Sequence, residues 1–181
     1  MEHTSEIKKT LITKDQLAAR VAELGAQITA DYKGGDRPVC VGVLKGAWIF
    51  LADLLREIDL EVDISFMAVS SYGSGTVSSG ELVIKTDVNV DVAGRDVIIV
   101  EDIVDSGHTL ALLKKLFLDR NAKSVKIASL LNKPSRRVAD IQADYCGFDI
   151  PDEFVVGYGL DFDEKYRTLK DICVLKEEAY M

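Results

Sequence analysis

The sequence predicts an α/β fold, a mostly parallel twisted sheet flanked by helices, on three observations. Strand-like and helix-like runs alternate along one chain, the order that lays parallel strands side by side with helices on their faces. Val97-Ile98-Ile99-Val100 is apolar and β-branched at every residue, as a central strand covered on both faces must be. No repeat, linker or low-complexity tract divides the 181 residues, of which 48% are hydrophobic, so residues 1–181 are read as a single domain around one sizeable core.

The elements follow in order. Thr13 and Gln16 have the spacing of a capping box, and Leu17, Val21, Leu24 and Ile28 recur at helical spacing, so an amphipathic helix starts there and ends at Gly34-Gly35. Residues 39–44 form a short, β-branched apolar run stopped by Lys45-Gly46, the pattern of a buried strand. Residues 47–58 read as a helix. Val62, Ile64 and Phe66 alternate with Glu61, Asp63 and Ser65, the period of a strand with one wet face, its polar residues outward. A Gly/Ser-rich stretch, residues 70–80, separates this from a short strand at 82–84. Gly94 turns the chain into the central run. Beyond it, Leu110, Leu113 and Phe117 mark a helix closing near Arg120 and Asn121. Residues 125–131, 154–158 and 172–175 complete the strands.

Composition narrows the function. With 22 Lys+Arg against 30 Asp+Glu, the net charge of -8 supplies no global field to attract a nucleic-acid backbone. Cys40, Cys146 and Cys173 are odd in number and far apart, so they make neither a CxxC pair nor a disulfide framework, and they fit buried thiols in a reducing compartment better than a catalytic role. The first nine residues lack the apolar segment of a signal peptide and no run is long enough to span a bilayer, so no membrane role is expected and a cytoplasmic location is.

In open α/β sheets, ligands bind beyond the carboxyl ends of the strands. After Val100 the chain reads Glu101-Asp102-Ile103-Val104-Asp105-Ser106-Gly107-His108-Thr109. A small Gly-containing turn opening a helix exposes unpaired N–H groups at the positive end of the helix dipole, which makes an anion site, and Ser106 and Thr109 can add hydroxyl donors. Carboxylates beside an anion site make electrostatic sense when a cation, sugar hydroxyls or a proton transfer lies between them. A phosphorylated sugar bound with Mg²⁺ meets that condition. The plain alternative is an acidic strand end followed by Asp and Ser helix caps, which spacing alone does not separate from it.

The whole string separates them. VIIVEDIVDSGHTL, residues 97–110, closely resembles the phosphoribosyl pyrophosphate motif of the type I phosphoribosyltransferases. The resemblance continues through Leu44-Lys45-Gly46, Ser71-Tyr72-Gly73, Leu130-Leu131-Asn132-Lys133, Phe154-Val155-Val156-Gly157-Tyr158 and Leu160-Asp161 to Arg167, and is strongest to the members that use hypoxanthine and guanine. It implies that family's sheet with a small hood built from the terminal segments, a purine salvage reaction on phosphoribosyl pyrophosphate and a 6-oxopurine, Mg²⁺ as cofactor, and a homodimer or homotetramer.

By the same resemblance, Glu101 and Asp102 hold the ribose hydroxyls and the metal-bound end of the substrate, with Asp161 as a further metal carboxylate. Asp105 faces the purine N7 as general acid/base. The loop Asp105, Ser106, Gly107, His108, Thr109 cradles the 5′-phosphate; the family commonly has Lys where His108 stands, and His108 carries no catalytic role. Lys133, which a bland reading leaves solvated at a strand end, donates to the purine O6. Phe154, otherwise a core residue, stacks on the base, and the main chain of Val155 binds the base edge. Arg167 and the Lys45-Gly46 turn hold pyrophosphate, and a cis peptide is implied at Leu44–Lys45. Ser71 and Tyr72 act from a lid over residues 70–80, where composition alone would give only a long connection.

Three other readings compete. A nucleotide-sensing regulator that keeps this fold but binds RNA or DNA should show a basic face, against which the charge counts. A receiver-type signalling domain shares an acidic strand end and leaves Ser71-Tyr72 and Lys45-Gly46 unexplained. A uracil or orotate enzyme would not need the contexts of Lys133 and Phe154.

Overall fold

The computed structural model describes residues 5–71 and 82–180. Its elements are β1 (Ile7–Ile12), α1 (Lys14–Tyr32), β2 (Val39–Leu44), α2 (Trp48–Glu57), β3 (Asp63–Ser71), β4 (Leu82–Thr86), β5 (Asp96–Val104), α3 (His108–Asp119), β6 (Ser124–Asn132), β7 (Tyr145–Asp149), β8 (Val155–Val156) and β9 (Ile172–Leu175). Six strands form one sheet in the order β4-β3-β2-β5-β6-β7, with only β4 antiparallel to its neighbour. The fully apolar run lies within β5, between β2 and β6, as the sequence predicts of a central strand.

The helices cover both faces, which is why the inner strands carry apolar residues on both sides. On one face α1 and α2 pack Leu17, Val21, Leu24, Ile28, Phe50 and Leu54 onto Cys40, Ile98, Val100 and Leu130. On the other, α3 packs Leu110, Leu113 and Phe117 onto Val39, Val41, Val97 and Ile99. α1 begins in the expected capping box: Gln16 N donates to Thr13 Oγ1 and Thr13 N donates back to Gln16 Oε1 at 2.9 Å. Cys40 is buried and its thiol is pushed up to about 12 by burial; Cys173 is also buried, whereas Cys146 is half-buried, and all three are free.

The hood is a second, antiparallel sheet in the order β1-β9-β8, joining the two ends of the chain. β1 and β7 have no counterpart in the sequence reading, and the strand expected over 154–158 shrinks to Val155–Val156. β3 corrects it in another way. Its period is as expected but its wet face is reversed: Ser65 and Met67 are buried, while Ile64 and Phe66 are 47% and 44% exposed. Register decides this. Ser65 and Met67 stand beside Val41 and Val43 and so face the α3-side core, where the Ser65 hydroxyl donates to Asn89 Oδ1 at 2.9 Å. Ile64 and Phe66 fall on the opposite face of the sheet.

Candidate active site

From β2 the chain leaves to one side of the sheet through α2 and β3, and from β5 to the other through α3 and β6, so the strand order reverses between β2 and β5. The two strands pair from Val39↔Val97 only as far as Gly42↔Val100. β5 continues on β6 to Val104↔Asn132 while β2 turns away at Leu44, and a crevice of about 290 Å³ opens at this switch point. It gathers Lys45, Gly46, Glu101, Asp102, Asp105, Ser106, Gly107 and Thr109.

The near lip is the turn after β2, entered through a cis peptide at Leu44–Lys45, as the resemblance implies. It lies so close to β5 that a Cβ on Gly46 would stand 1.5 Å from Asp102 Oδ2. Only glycine admits that approach. At the base of the crevice, burial raises Glu101 well above the ordinary carboxylate range, and the neighbouring charge of Asp102 raises it further. Burial also raises Asp102, against the opposing pull of Ile103 N–H, which donates to Oδ1 at 2.7 Å, and of the Arg167 charge. Two carboxylates held this way favour a cation or donor hydroxyls between them and the crevice opening.

The far lip is the turn from β5 into α3. Gly107, at φ 85°, is the N-cap and offers no side chain to the first-turn N–H groups of α3, which are left for an anion. Behind the turn, Val138 N and Ala139 N each donate to Ser106 O at 3.0 Å, and a Cβ on Gly107 would strike Ile141 at 2.4 Å and Arg137 at 3.2 Å. His108 is exposed, its Nδ1 3.2 Å from Ser106 Oγ.

Lys133, Phe154 and Val155 are not among the residues that line this crevice, and Phe154 and Val155 belong to the wall that the hood makes. Lys133 N donates to Val104 O at 2.9 Å, fixing it beside the end of β5, and the residue is only 8% exposed, contrary to a solvated strand end. Its ammonium lies 3.5 Å from Asp152, which also takes Arg136 at 3.3 Å, while Arg136 Nε donates to Asp105 at 2.7 Å. Phe154 is 36% exposed, with Tyr180 stacked on it at 4.8 Å and Phe162 edge-on at 5.6 Å. Val155 is buried, paired with Val174.

Asp161 and Arg167 come from the loop before β9, which meets the near lip where a Cβ on Gly159 would stand 2.2 Å from Gly46 O. Arg167 donates to Gly159 O at 2.8 Å and pairs with Asp161 at 2.9 Å. Asp161 thus faces a cation of the chain instead of joining Glu101 and Asp102, and among the described residues no three acidic, His or Cys side chains converge. A metal here would complete its shell from substrate oxygens, the habit of Mg²⁺. Ser71 ends β3; Tyr72 and the rest of the expected lid lie outside the described residues.

The sequence reading missed Arg136, Asp152, Glu164 and Tyr180. Arg136 ends a single 3-10 turn and the other three lie in bends or turns, where no periodicity marks a side chain for a site.

An anion turn facing a carboxylate pair at the switch point of a mostly parallel sheet is the arrangement that the resemblance to the phosphoribosyltransferases implies. Residues 9–163 match the phosphoribosyl transferase domain, and the chain belongs to that family. The hypoxanthine-guanine phosphoribosyltransferase of Bacillus subtilis (strain 168) is 53% identical over 180 residues, 99% of this chain and 98% of its own. That of Streptococcus thermophilus (strain CNRZ 1066) is 53% identical over 175 residues, 97% of each chain. A crystal structure of a hypoxanthine phosphoribosyltransferase from Staphylococcus aureus matches with a TM-score of 0.96 at 46% identity, covering 100% of this chain and 98% of that one.

Proposed function

We propose that this chain transfers the 5-phosphoribosyl group of phosphoribosyl pyrophosphate to hypoxanthine or guanine, giving IMP or GMP and pyrophosphate. The observation that carries the reading is the crevice between β2 and β5, which sets Glu101 and Asp102 opposite the uncapped start of α3 in one space of about 290 Å³. The near-full-length relatives support the purine substrate.

In the reaction, the bond from the anomeric carbon to pyrophosphate breaks, a purine ring nitrogen bonds to that carbon, and the purine loses a proton. The turn Asp105 to Thr109 holds the 5′-phosphate at the helix start. Glu101 and Asp102 take the ribose hydroxyls and stabilise positive charge developing on the ring. Asp105 receives the purine's proton on the N7 side, its carboxylate held meanwhile by Arg136. Lys133, buried beside Val104, donates to O6, and a 6-amino group offers no acceptor there. Phe154 lies along the base, braced from behind by Tyr180. Lys45 and Arg167 hold the leaving pyrophosphate, the guanidinium as a fork. Glu101 and Asp102 on one side, and Asp161 separately on the other, would hold Mg²⁺ through the substrate's own oxygens, and the metal would neutralise charge on the departing pyrophosphate.

We also read the chain as one domain, a cytoplasmic enzyme that works as a homodimer or homotetramer. Exposed Ile64 and Phe66 on β3, with Val83 on β4, supply an apolar face suited to a second copy. Among the described residues no helix is long and apolar enough to cross a membrane. Turnover of the purified protein with phosphoribosyl pyrophosphate, Mg²⁺ and each of hypoxanthine, guanine, xanthine, adenine and uracil tests the activity. Nucleotide formation from hypoxanthine or guanine well above the other bases is expected; preference for adenine or uracil, or no turnover, would overturn it.

A further inference from the structure

Between the two cations assigned to pyrophosphate lies a carboxylate with no role so far. Glu164 Oε1 accepts from Lys45 Nζ at 3.0 Å, and Oε2 accepts from Arg167 Nη2 at 3.3 Å and Nε at 3.4 Å. The partners reach it from opposite ends of the chain: Lys45 from the turn after β2, Arg167 from the loop before β9. Each oxygen takes one cation, the arrangement in which two phosphoryl oxygens would be gripped. The Lys45 ammonium also holds the Glu164 carboxyl below the usual carboxylate range.

The backbone places Glu164 there without help from its side chain. Its N–H donates to Asp161 Oδ2 at 2.8 Å, and Phe162 and Lys165 exchange backbone hydrogen bonds around it at 3.3 and 2.9 Å. Glu164 itself has a φ of 61°, so a non-glycine residue stands at the tip of this turn in the left-handed region. The carboxylate is therefore free to let go of both cations while the turn keeps its form.

We propose that Glu164 is an internal stand-in for pyrophosphate, a carboxylate that occupies Lys45 and Arg167 and yields them when the pyrophosphate group arrives, while Gly159 O and Asp161 keep Arg167 in place. The inference rests on the assignment of those two cations to pyrophosphate. Its consequence has a sign. A competitor built into the site weakens pyrophosphate binding and speeds its departure, so removing the charge should tighten binding. A merely structural Glu164 predicts the reverse, because Lys45 and Arg167 would then lose their alignment. Exposed ion pairs are weak, so the gain should be about two- to fivefold.

The test is calorimetric titration of inorganic pyrophosphate with Mg²⁺ into wild type, Glu164→Gln, Glu164→Ala, Lys45→Ala and Arg167→Ala, with IMP as a second ligand. Both Glu164 variants should bind pyrophosphate about two- to fivefold more tightly and IMP as wild type does, while Lys45→Ala and Arg167→Ala should lose pyrophosphate affinity. Unchanged or weaker pyrophosphate binding in both Glu164 variants, alongside losses in Lys45→Ala and Arg167→Ala, would overturn the stand-in role and leave the assignment of the cations intact. Wild-type pyrophosphate affinity in Lys45→Ala and Arg167→Ala would instead remove the assignment itself, and the inference with it.

Discussion

Gly46→Ala puts the closest approach in the site to the test. The new methyl would stand 1.5 Å from Asp102 Oδ2 and 2.5 Å from its Cγ, so about 1.5 Å of movement is needed to restore even a 3.0 Å contact. Asp102 cannot easily supply it: Oδ1 is tied to Ile103 N–H at 2.7 Å, and its backbone lies in β5, paired to β6 on either side of it. The turn after β2 must give instead. Gly46 O in turn lies where a Cβ of Gly159 would be only 2.2 Å away, so movement passes to the loop that carries Asp161 and Arg167. A displacement of about 1 Å in a positioned site costs on the order of 100-fold. We expect kcat/KM for phosphoribosyl pyrophosphate to fall by about 10²-fold or more, while overpacking of about 1–3 kcal/mol lowers Tm by only about 2–12 °C. Steady-state kinetics at saturating hypoxanthine and a calorimetric scan measure the two. Gly35→Ala, whose Cβ would meet nothing closer than Tyr32 O at 3.4 Å, is the control and should match wild type in turnover. Activity of Gly46→Ala within about threefold of wild type would refute the argument that this contact sets the geometry of the near lip and of the loop carrying Asp161 and Arg167.

Asp105→Asn should lower kcat by about 10²–10⁴-fold with little change in the KM for hypoxanthine, read by initial rates; a wild-type kcat would remove Asp105 from proton transfer. Lys133→Gln should narrow the ratio of kcat/KM between hypoxanthine and adenine by about tenfold or more, and an unaltered ratio would mean that O6 is recognised elsewhere. Glu101→Gln should stabilise the metal-free, substrate-free protein at neutral pH. The folded-state pKa of Glu101 is raised, so its favourable contribution is complete below the unfolded pKa and is lost as pH rises through the folded one, leaving ionised Glu101 beside Asp102 as a penalty. Each kcal/mol relieved is worth about 2–4 °C, and the gain in Tm should vanish in acid; equal Tm values for variant and wild type at pH 7.5 would contradict the half-buried like-charge pair.

The elements most legible in the sequence are those whose burial is two-sided or whose ends carry chemistry. β2 and β5 announce themselves because every residue of their apolar runs must suit one core or the other, and Thr13 with Gln16 marks the start of α1. β1 was hidden because its burial is slight, with Lys8, Lys9 and Thr10 exposed between Ile7 and Ile12, and its partner is 160 residues away in sequence. The face of β3 could not be read from alternation alone, since polarity names two faces and only register with β2 says which is covered. In the site, the contiguous string from Glu101 to Thr109 was legible because strand, turn and helix start arrive in one stretch. The pairing of Arg136 with Asp105 and of Glu164 with Lys45 spans 31 and 119 residues, and no local pattern could join them.

The order of strands in the hood bears on how the protein comes into being. β9 is the middle strand, with β1 on one side and β8 on the other, and among the described residues it comes after every other strand. During synthesis all six strands of the large sheet have been made once Asp149 is clear of the ribosome, so the crevice between β2 and β5 can form early. The wall carrying Phe154 and Val155 cannot, because β8 is held through Val155↔Val174 and Val156↔Cys173. Phe154 and Val155 therefore reach their final places only once β9 has been made, and Ile172 and Val174 then complete the core that α1 and α2 share with the large sheet.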